Sequence, residues 1–242
     1  MDGEAIVKPR SPIILHWLVQ SRSHRILWLL EELELPYEVK VYKRNAKTQL
    51  ADPALKAVHP RGKSPIIEDD GTVIAESGLI IEYLIEKYGK HTSLYPKTPE
   101  DLLKARYYLH YAEGSLQPVL LFLYITYMTR NAPMPFFIRP IARRILDAMD
   151  NAFAAPDAKQ QLQLLEDELT RNGTGFFVGD SCTGADIILI FPLQGAVTRA
   201  GLTKKAYPAL WKYMNDMQDR DAYKRANEKV EALGMPATTV KL

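Results

Sequence analysis

The sequence predicts an α/β domain followed by an all-helical domain. Three observations carry this. Strand and helix patterns alternate through residues 11–89 in the order β-α-β-β-β-α. The stretch "KHTSLYPKTP", residues 90–99, has two prolines and little periodicity, as a linker does. Residues 100–235 then read as helix throughout, with no convincing strand.

The elements follow in order. "IILHWL" (Ile13–Leu18) is a short apolar run suited to a buried strand. In "RILWLLEELEL", residues Ile26, Leu27, Leu29, Leu30 and Leu33 make one broad helical face, and Pro36 is expected to end it. "YEVKVY" (Tyr37–Tyr42) alternates as a strand does, which completes a βαβ unit with parallel strands. "PIIE" and "TVIA" are two short strands joined through Asp69-Asp70-Gly71, a hairpin signal. "SGLIIEYLIEKYG" is a helix with Ile80, Ile81, Leu84, Ile85 and Tyr88 on one face and Gly89 as terminator.

In the second half, residues 101–128 and Ala158–Arg171 read as amphipathic helices. Within the first, Val119–Met128 is apolar enough to be read as a buried helix. It is half the ~20 residues a membrane span needs, and it leaves peripheral membrane attachment open. "NAPMPFFIRPIARR", residues 131–144, reads as an irregular, proline-punctuated insert.

Composition narrows the function. The 242 residues carry 31 basic and 29 acidic side chains, a net charge of +2, which makes no electrostatic case for nucleic-acid binding. The five histidines are scattered, so no metal site is expected. One cysteine, Cys182, excludes a disulfide within the chain and points to a reducing, cytoplasmic setting. The opening "MDGEAIVKPRSP" lacks the apolar core of a leader peptide.

Four stretches stand out chemically. Ser21-Arg22-Ser23-His24-Arg25 lies where the first strand hands over to the first helix. A serine there is first a helix cap, and second a hydroxyl that can stabilise an anion beside the helix end. "GKSP" (Gly62–Pro65) is a turn, or a cis Ser64–Pro65 bond that turns the Ser64 backbone outward to pair with a bound peptide. "ESG" (Glu76–Gly78) opens a helix. Ser77 suits a cap, and it also suits a carboxylate site, with Glu76 positioned to accept from an amino group. In "TGADI" (Thr183–Ile187), Thr183 and Asp186 have capping-box spacing, with Cys182 and Ile187 as the staple, so a structural role is expected.

Together "SRSHRILWLLEEL", "HPRGKSPIIEDDGTVIAESGLIIEYL", "YAEGSLQP" and "GADIILIFPLQ" resemble cytosolic glutathione transferases, most closely the fungal GTT class, over residues 11–235. The resemblance implies a thioredoxin-like N-terminal domain, an all-α C-terminal domain and a homodimer. It implies glutathione as co-substrate, held by Lys63, Ser64, Pro65, Glu76 and Ser77. It also implies an electrophile pocket lined by the helical domain, with Tyr107 and Tyr111 as candidates. Glu113 falls where a partner subunit of the family often contributes an acidic residue. The activating hydroxyl is Ser21 or Ser23; Ser21 lies nearer the strand end, and Ser23 is the better cap. Arg22 between them is expected to be a solvated surface residue. No cysteine lies there, which argues against mixed-disulfide chemistry.

A hydroxyl suffices for thiol activation. Lowering a thiol pKa from ~8.5 to ~6.5 requires about 2.7 kcal/mol in favour of the thiolate. A hydrogen bond to a charged acceptor supplies ~1.5–3 kcal/mol and a helix N-terminus ~0.3–1 kcal/mol. The expected activity is conjugation of the glutathione thiolate to hydrophobic electrophiles, as in detoxification. Reduction of organic hydroperoxides, or a non-catalytic binding or regulatory module, are the alternatives.

Overall fold

The computed structural model describes residues 7–235. The first six residues, part of the stretch read above as leader-free, and residues 236–242 lie outside the described residues.

The sheet-bearing half runs β1 (Ile13–Leu18), α1 (His24–Glu32), β2 (Tyr37–Tyr42), α2 (Leu55–Val58), β3 (Ile66–Asp69), β4 (Thr72–Ala75) and α3 (Ser77–Tyr88). The sheet order is β2-β1-β3-β4. β1 and β2 are parallel, joined by α1 as a crossover, and the β1–β3 and β3–β4 pairs are antiparallel. Asp70 (φ 47°) and Gly71 (φ 82°) both take left-handed backbone in the β3–β4 turn, the conformation a two-residue hairpin demands.

Two local readings need correction. α1 ends at Glu32, earlier than Pro36 requires, because Glu34 turns into left-handed backbone at φ 50°. α2 escaped the sequence reading, since one turn of helix leaves no periodicity. Its Leu55 packs with Leu18 and Ile66 in a small apolar cluster.

The helical half comprises α4 (Pro99–Tyr111), α5 (Gln117–Arg130), α6 (Arg139–Met149), α7 (Ala155–Asn172), α8 (Gly184–Arg199), α9 (Pro208–Asp219) and α10 (Asp221–Ala232). The amphipathic stretch 101–128 is not one regular helix: a π-turn at Ala112–Leu116 separates α4 from α5. Nor is the insert irregular throughout. It contains α6, whose Pro140 sits in the first turn, where a missing N–H leaves no bond unmade. Val119–Met128 is also not buried all round. Val119, Leu120, Leu123 and Thr126 are covered, while Ile125, Tyr127 and Met128 are about half exposed. An apolar run reveals no coverage by itself, because coverage depends on how many sides have neighbours. Among the described residues, no helix is long and apolar enough to cross a membrane.

One apolar core spans both halves. α1 packs against α3, α8 and α10, so its residues His24–Leu30 are all buried, and not just one stripe. At the α3–α8 contact, a Cβ on Gly184 would lie 3.0 Å from Ile81 Cγ2 and 3.3 Å from Ile85 Cδ1, so the close approach requires glycine. The capping box at the start of α8 is present. Thr183 Oγ1 accepts from the Ala185 amide, and the Thr183 amide donates to Asp186 Oδ2 at 2.8 Å.

Candidate functional site

Sheet register brings three of the singled-out stretches to one end of the sheet. His16 of β1 faces Ile66 of β3, and Ile66 faces Ala75 of β4. The residues after Leu18, before Ile66 and after Ala75 therefore meet at a common edge.

Three serine hydroxyls form a chain at that edge. The Ser64–Pro65 peptide bond is cis, the second of the two readings of this stretch. Ser64 Oγ donates to the His16 carbonyl (2.6 Å) and accepts from the Leu18 amide (3.2 Å). Ser23 Oγ lies 2.6 Å from Ser64 Oγ, and Ser21 Oγ lies 2.8 Å from Ser23 Oγ. Each hydroxyl has one hydrogen. Since Ser64 gives its hydrogen to His16, Ser23 must donate to Ser64, and Ser21 to Ser23. The chain runs Ser21 → Ser23 → Ser64 → His16 carbonyl.

This order corrects the cap assignment. Ser23 occupies the N-cap position of α1, but in helical backbone and without a side-chain cap bond. Its hydroxyl is fully buried and spent on Ser64. The Ser23 amide is instead accepted by Ser21 Oγ at 3.2 Å. The preceding loop is held by Arg44, which donates to the Val19 and Gln20 carbonyls at 3.1 and 3.2 Å. Arg44 lies 24 residues from Gln20 and carries no motif, so sequence reasoning missed it.

The remaining basic residues of the knot are not simply solvated. Arg22 is only about one-third exposed and pairs with Glu113, as does the fully buried Arg25. Glu113 thus meets its own chain. His24 is buried, its Nε2 donating to Asn227 Oδ1 at 2.8 Å, and burial pushes its imidazole pKa down to about 4. His16, behind the serine chain, is held by Tyr42 Oη (2.8 Å) and Glu68 Oε1 (2.7 Å); burial lowers its pKa against the pull of Glu68.

Glu76 joins β4 to α3 with φ 74° and ψ 121°, backbone that a side chain rarely adopts and that clusters at ligand sites. Its carboxylate is largely exposed and pairs with Arg61 at 2.5 Å. Ser77 is buried and opens α3 as its first helical residue, not as a side-chain cap. The first-turn amides of α3 thus face the same edge without helix acceptors. Lys63 is exposed in the loop before Ser64, following Gly62 at φ 56°. Arg61 was not singled out from the sequence; only its ion pair with Glu76 marks it.

Tyr107 and Tyr111 stack at 5.5 Å on α4. Tyr107 is half exposed, and Tyr111 is buried with no partner for its hydroxyl, so burial raises its pKa. Among the described residues, no hydrogen bond or ring contact joins either ring to the serine chain. Cys182 is buried, which pushes its thiol well up and leaves it unreactive. Among the described residues, no cluster of three metal-ligating side chains occurs.

A mixed four-stranded sheet with a cis-proline loop at one end, followed by a helical half, defines a thioredoxin-like protein with an appended all-α domain. The comparisons with known proteins name the family. The pattern of "Glutathione S-transferase, N-terminal domain" matches residues 21–87, and that of "Glutathione S-transferase, C-terminal domain" matches residues 120–221. Glutathione S-transferase 1 of Saccharomyces cerevisiae is 38% identical over 230 residues, covering 92% of this chain and 97% of that protein. Among solved structures, a glutathione S-transferase from Actinobacillus pleuropneumoniae aligns with a TM-score of 0.70 and 30% identity, over 90% of this chain and 93% of that one. A glutathione transferase homolog from Lodderomyces elongisporus, solved with two GSH per subunit, has the same fold at a TM-score of 0.70 and 23% identity, over 90% and 99%. This chain belongs to the glutathione S-transferase family.

Proposed function

We propose that this protein is a glutathione transferase that activates the glutathione thiol through Ser21. The observation that carries it is the one-way serine chain, which begins at Ser21, the partly accessible residue of the pair. Ser21 can turn its hydrogen from Ser23 to a sulfur anion, and the rest of the chain stays intact. Ser23 could do so only by releasing Ser64. Glutathione lies along the sheet edge, with its backbone against Ser64 beside cis-Pro65. Its α-carboxylate meets Ser77 and the α3 N-terminus, its amino group meets Glu76, and its glycine carboxylate meets Lys63. Arg61 leaves Glu76 as the amino group arrives.

In the reaction the thiol proton passes to solvent, and the Ser21 hydroxyl donates to the resulting thiolate. The sulfur electron pair forms a C–S bond with the electrophile, which loses its leaving group or accepts the electrons into its π system. Residues 11–89 bind glutathione and activate its thiol. Residues 100–235 supply the apolar surface for the electrophile, around Tyr107 and Tyr111. A homodimer in the cytoplasm, acting in detoxification, is the setting we favour; the buried reduced Cys182 suits such a compartment.

Thiolate absorbance of bound glutathione against pH tests this. The thiol pKa should fall by about two units below the solution value of ~8.5. Binding without any fall would leave a non-catalytic module. If the pKa falls, turnover on a chlorodinitrobenzene against turnover on cumene hydroperoxide separates transferase from peroxidase.

A further inference from the structure

Glu113 is committed twice. Its Oε2 lies 2.5 Å from Arg22 Nη1, and its Oε1 lies 2.5 Å from Arg25 Nη1. The three residues join the two halves of the molecule across 91 and 88 positions of sequence. Arg25 is wholly buried, its guanidinium 4.8 Å above the Phe191 ring of α8, and its Nε and Nη2 have no hydrogen-bond partner. A buried guanidinium with a single carboxylate partner depends on that partner heavily. The Arg25–Glu113 pair is therefore the fixed end of the cluster, and Arg22 is the arm that reaches the loop.

Arg22 stands between Ser21 and Ser23. Fixing its guanidinium fixes the peptide that carries both hydroxyls. Glu113 itself sits in the π-turn Ala112–Leu116. A π-turn adds one residue to a helical turn and so changes which side chains the helix presents. It is the place where α4 turns a carboxylate toward α1.

We propose that Glu113 is a positioning residue for the thiol site: by clamping Arg22 and Arg25 it holds the Ser21–Ser23 loop against Ser64. The thiol consequence rests on the transferase reading above, whereas the clamp on the loop does not. Position and charge predict opposite signs. A carboxylate acting by charge alone opposes a nearby thiolate, so its removal would lower the bound thiol pKa. The clamp predicts that removal raises it, because the donating hydroxyl loses its aim.

The test compares wild type, Glu113→Gln, Glu113→Asp and Arg22→Gln as full chains. Amide hydrogen exchange of residues 19–24 is followed without glutathione. The bound glutathione thiol pKa, and kcat and KM with a chlorodinitrobenzene, are then measured. Glu113→Gln should speed exchange in the loop, raise the thiol pKa and lower kcat about tenfold, with the glutathione KM changed less than about twofold. Glu113→Asp should recover part of each. Arg22→Gln leaves the buried pair intact, so it keeps the fold and should move the same readouts in the same direction. If Glu113→Gln does not fold, loop exchange in Arg22→Gln decides the clamp, since losing this cation raises the thiol pKa by charge as well. Unchanged exchange in the loop, or a thiol pKa that stays or falls, overturns the proposal. A wild-type enzyme that leaves the thiol pKa at its solution value overturns the transferase reading instead, and the exchange data still decide the clamp.

Discussion

The hydroxyl oxygens of Ser21 and Ser23 lie 2.8 Å apart, and only that of Ser21 lies on a partly accessible residue. Two residues apart in sequence, they differ in what they are free to do. Ser23 is locked to Ser64, and Ser21 has a hydrogen that a ligand can take over. Ser21→Ala should therefore raise the pKa of bound glutathione by about 1–2 units and leave its affinity nearly unchanged. Ser23→Ala should mainly cost stability, about 1 kcal/mol, through the lost link to Ser64. Thiolate absorbance and urea unfolding of both variants check this; a raised pKa in Ser23→Ala alone would reverse the assignment.

Ser77 lies outside that chain and is assigned to the α-carboxylate of glutathione. Ser77→Ala should weaken glutathione binding about tenfold, as loss of one hydrogen bond to a charged group does, without moving the thiol pKa. Calorimetric titration beside the absorbance measurement separates the two effects.

His24 makes folding sensitive to acid. Burial lowers its folded pKa to about 4 from the model-compound 6.5, against the opposing bond to Asn227. Between these values the unfolded chain binds the extra proton, so stability is full above pH ~6.5 and falls as pH drops toward 4. The loss reaches about 3 kcal/mol. Urea midpoints from pH 7 to 4 should fall less steeply in His24→Gln than in wild type. Parallel slopes would show that other groups carry the acid sensitivity.

Asp186 is structural. Burial pushes its carboxyl up to about 6, against the hydrogen bonds it receives from the Thr183 and Phe177 amides and from Tyr213 Oη. Asp186→Ala leaves these buried donors without their acceptor and should cost ~4 kcal/mol of folding stability. In the fraction that still folds, the bound thiol pKa should match wild type. A shifted pKa would give Asp186 a part in the site.

Much of this is legible in the sequence. The Asp70-Gly71 turn, the capping box at Thr183 and the apolar faces of α1 and α3 are local. Each depends on residues within one or two turns, so spacing along the chain records them. What the spacing did not record was coverage. Val119–Met128 reads the same whether one side or all sides have neighbours, and Arg22 reads as a surface arginine until Glu113 is placed beside it.

The sequence by itself determined the order of the four strands with α1 and α3, the proline loop that opens β3, and the pair of serines between which the thiol donor had to be chosen. Tertiary structure alone decided the direction of the hydroxyl chain, the tie from Arg44 to the loop, and the embrace of Glu113 by two arginines. The reason is physical. Local propensity and periodicity fix backbone conformation, but a hydroxyl's single hydrogen and a carboxylate's partners are set by atoms tens of residues away. Ser64 stands 41 residues from Ser23, and Glu113 stands 91 from Arg22.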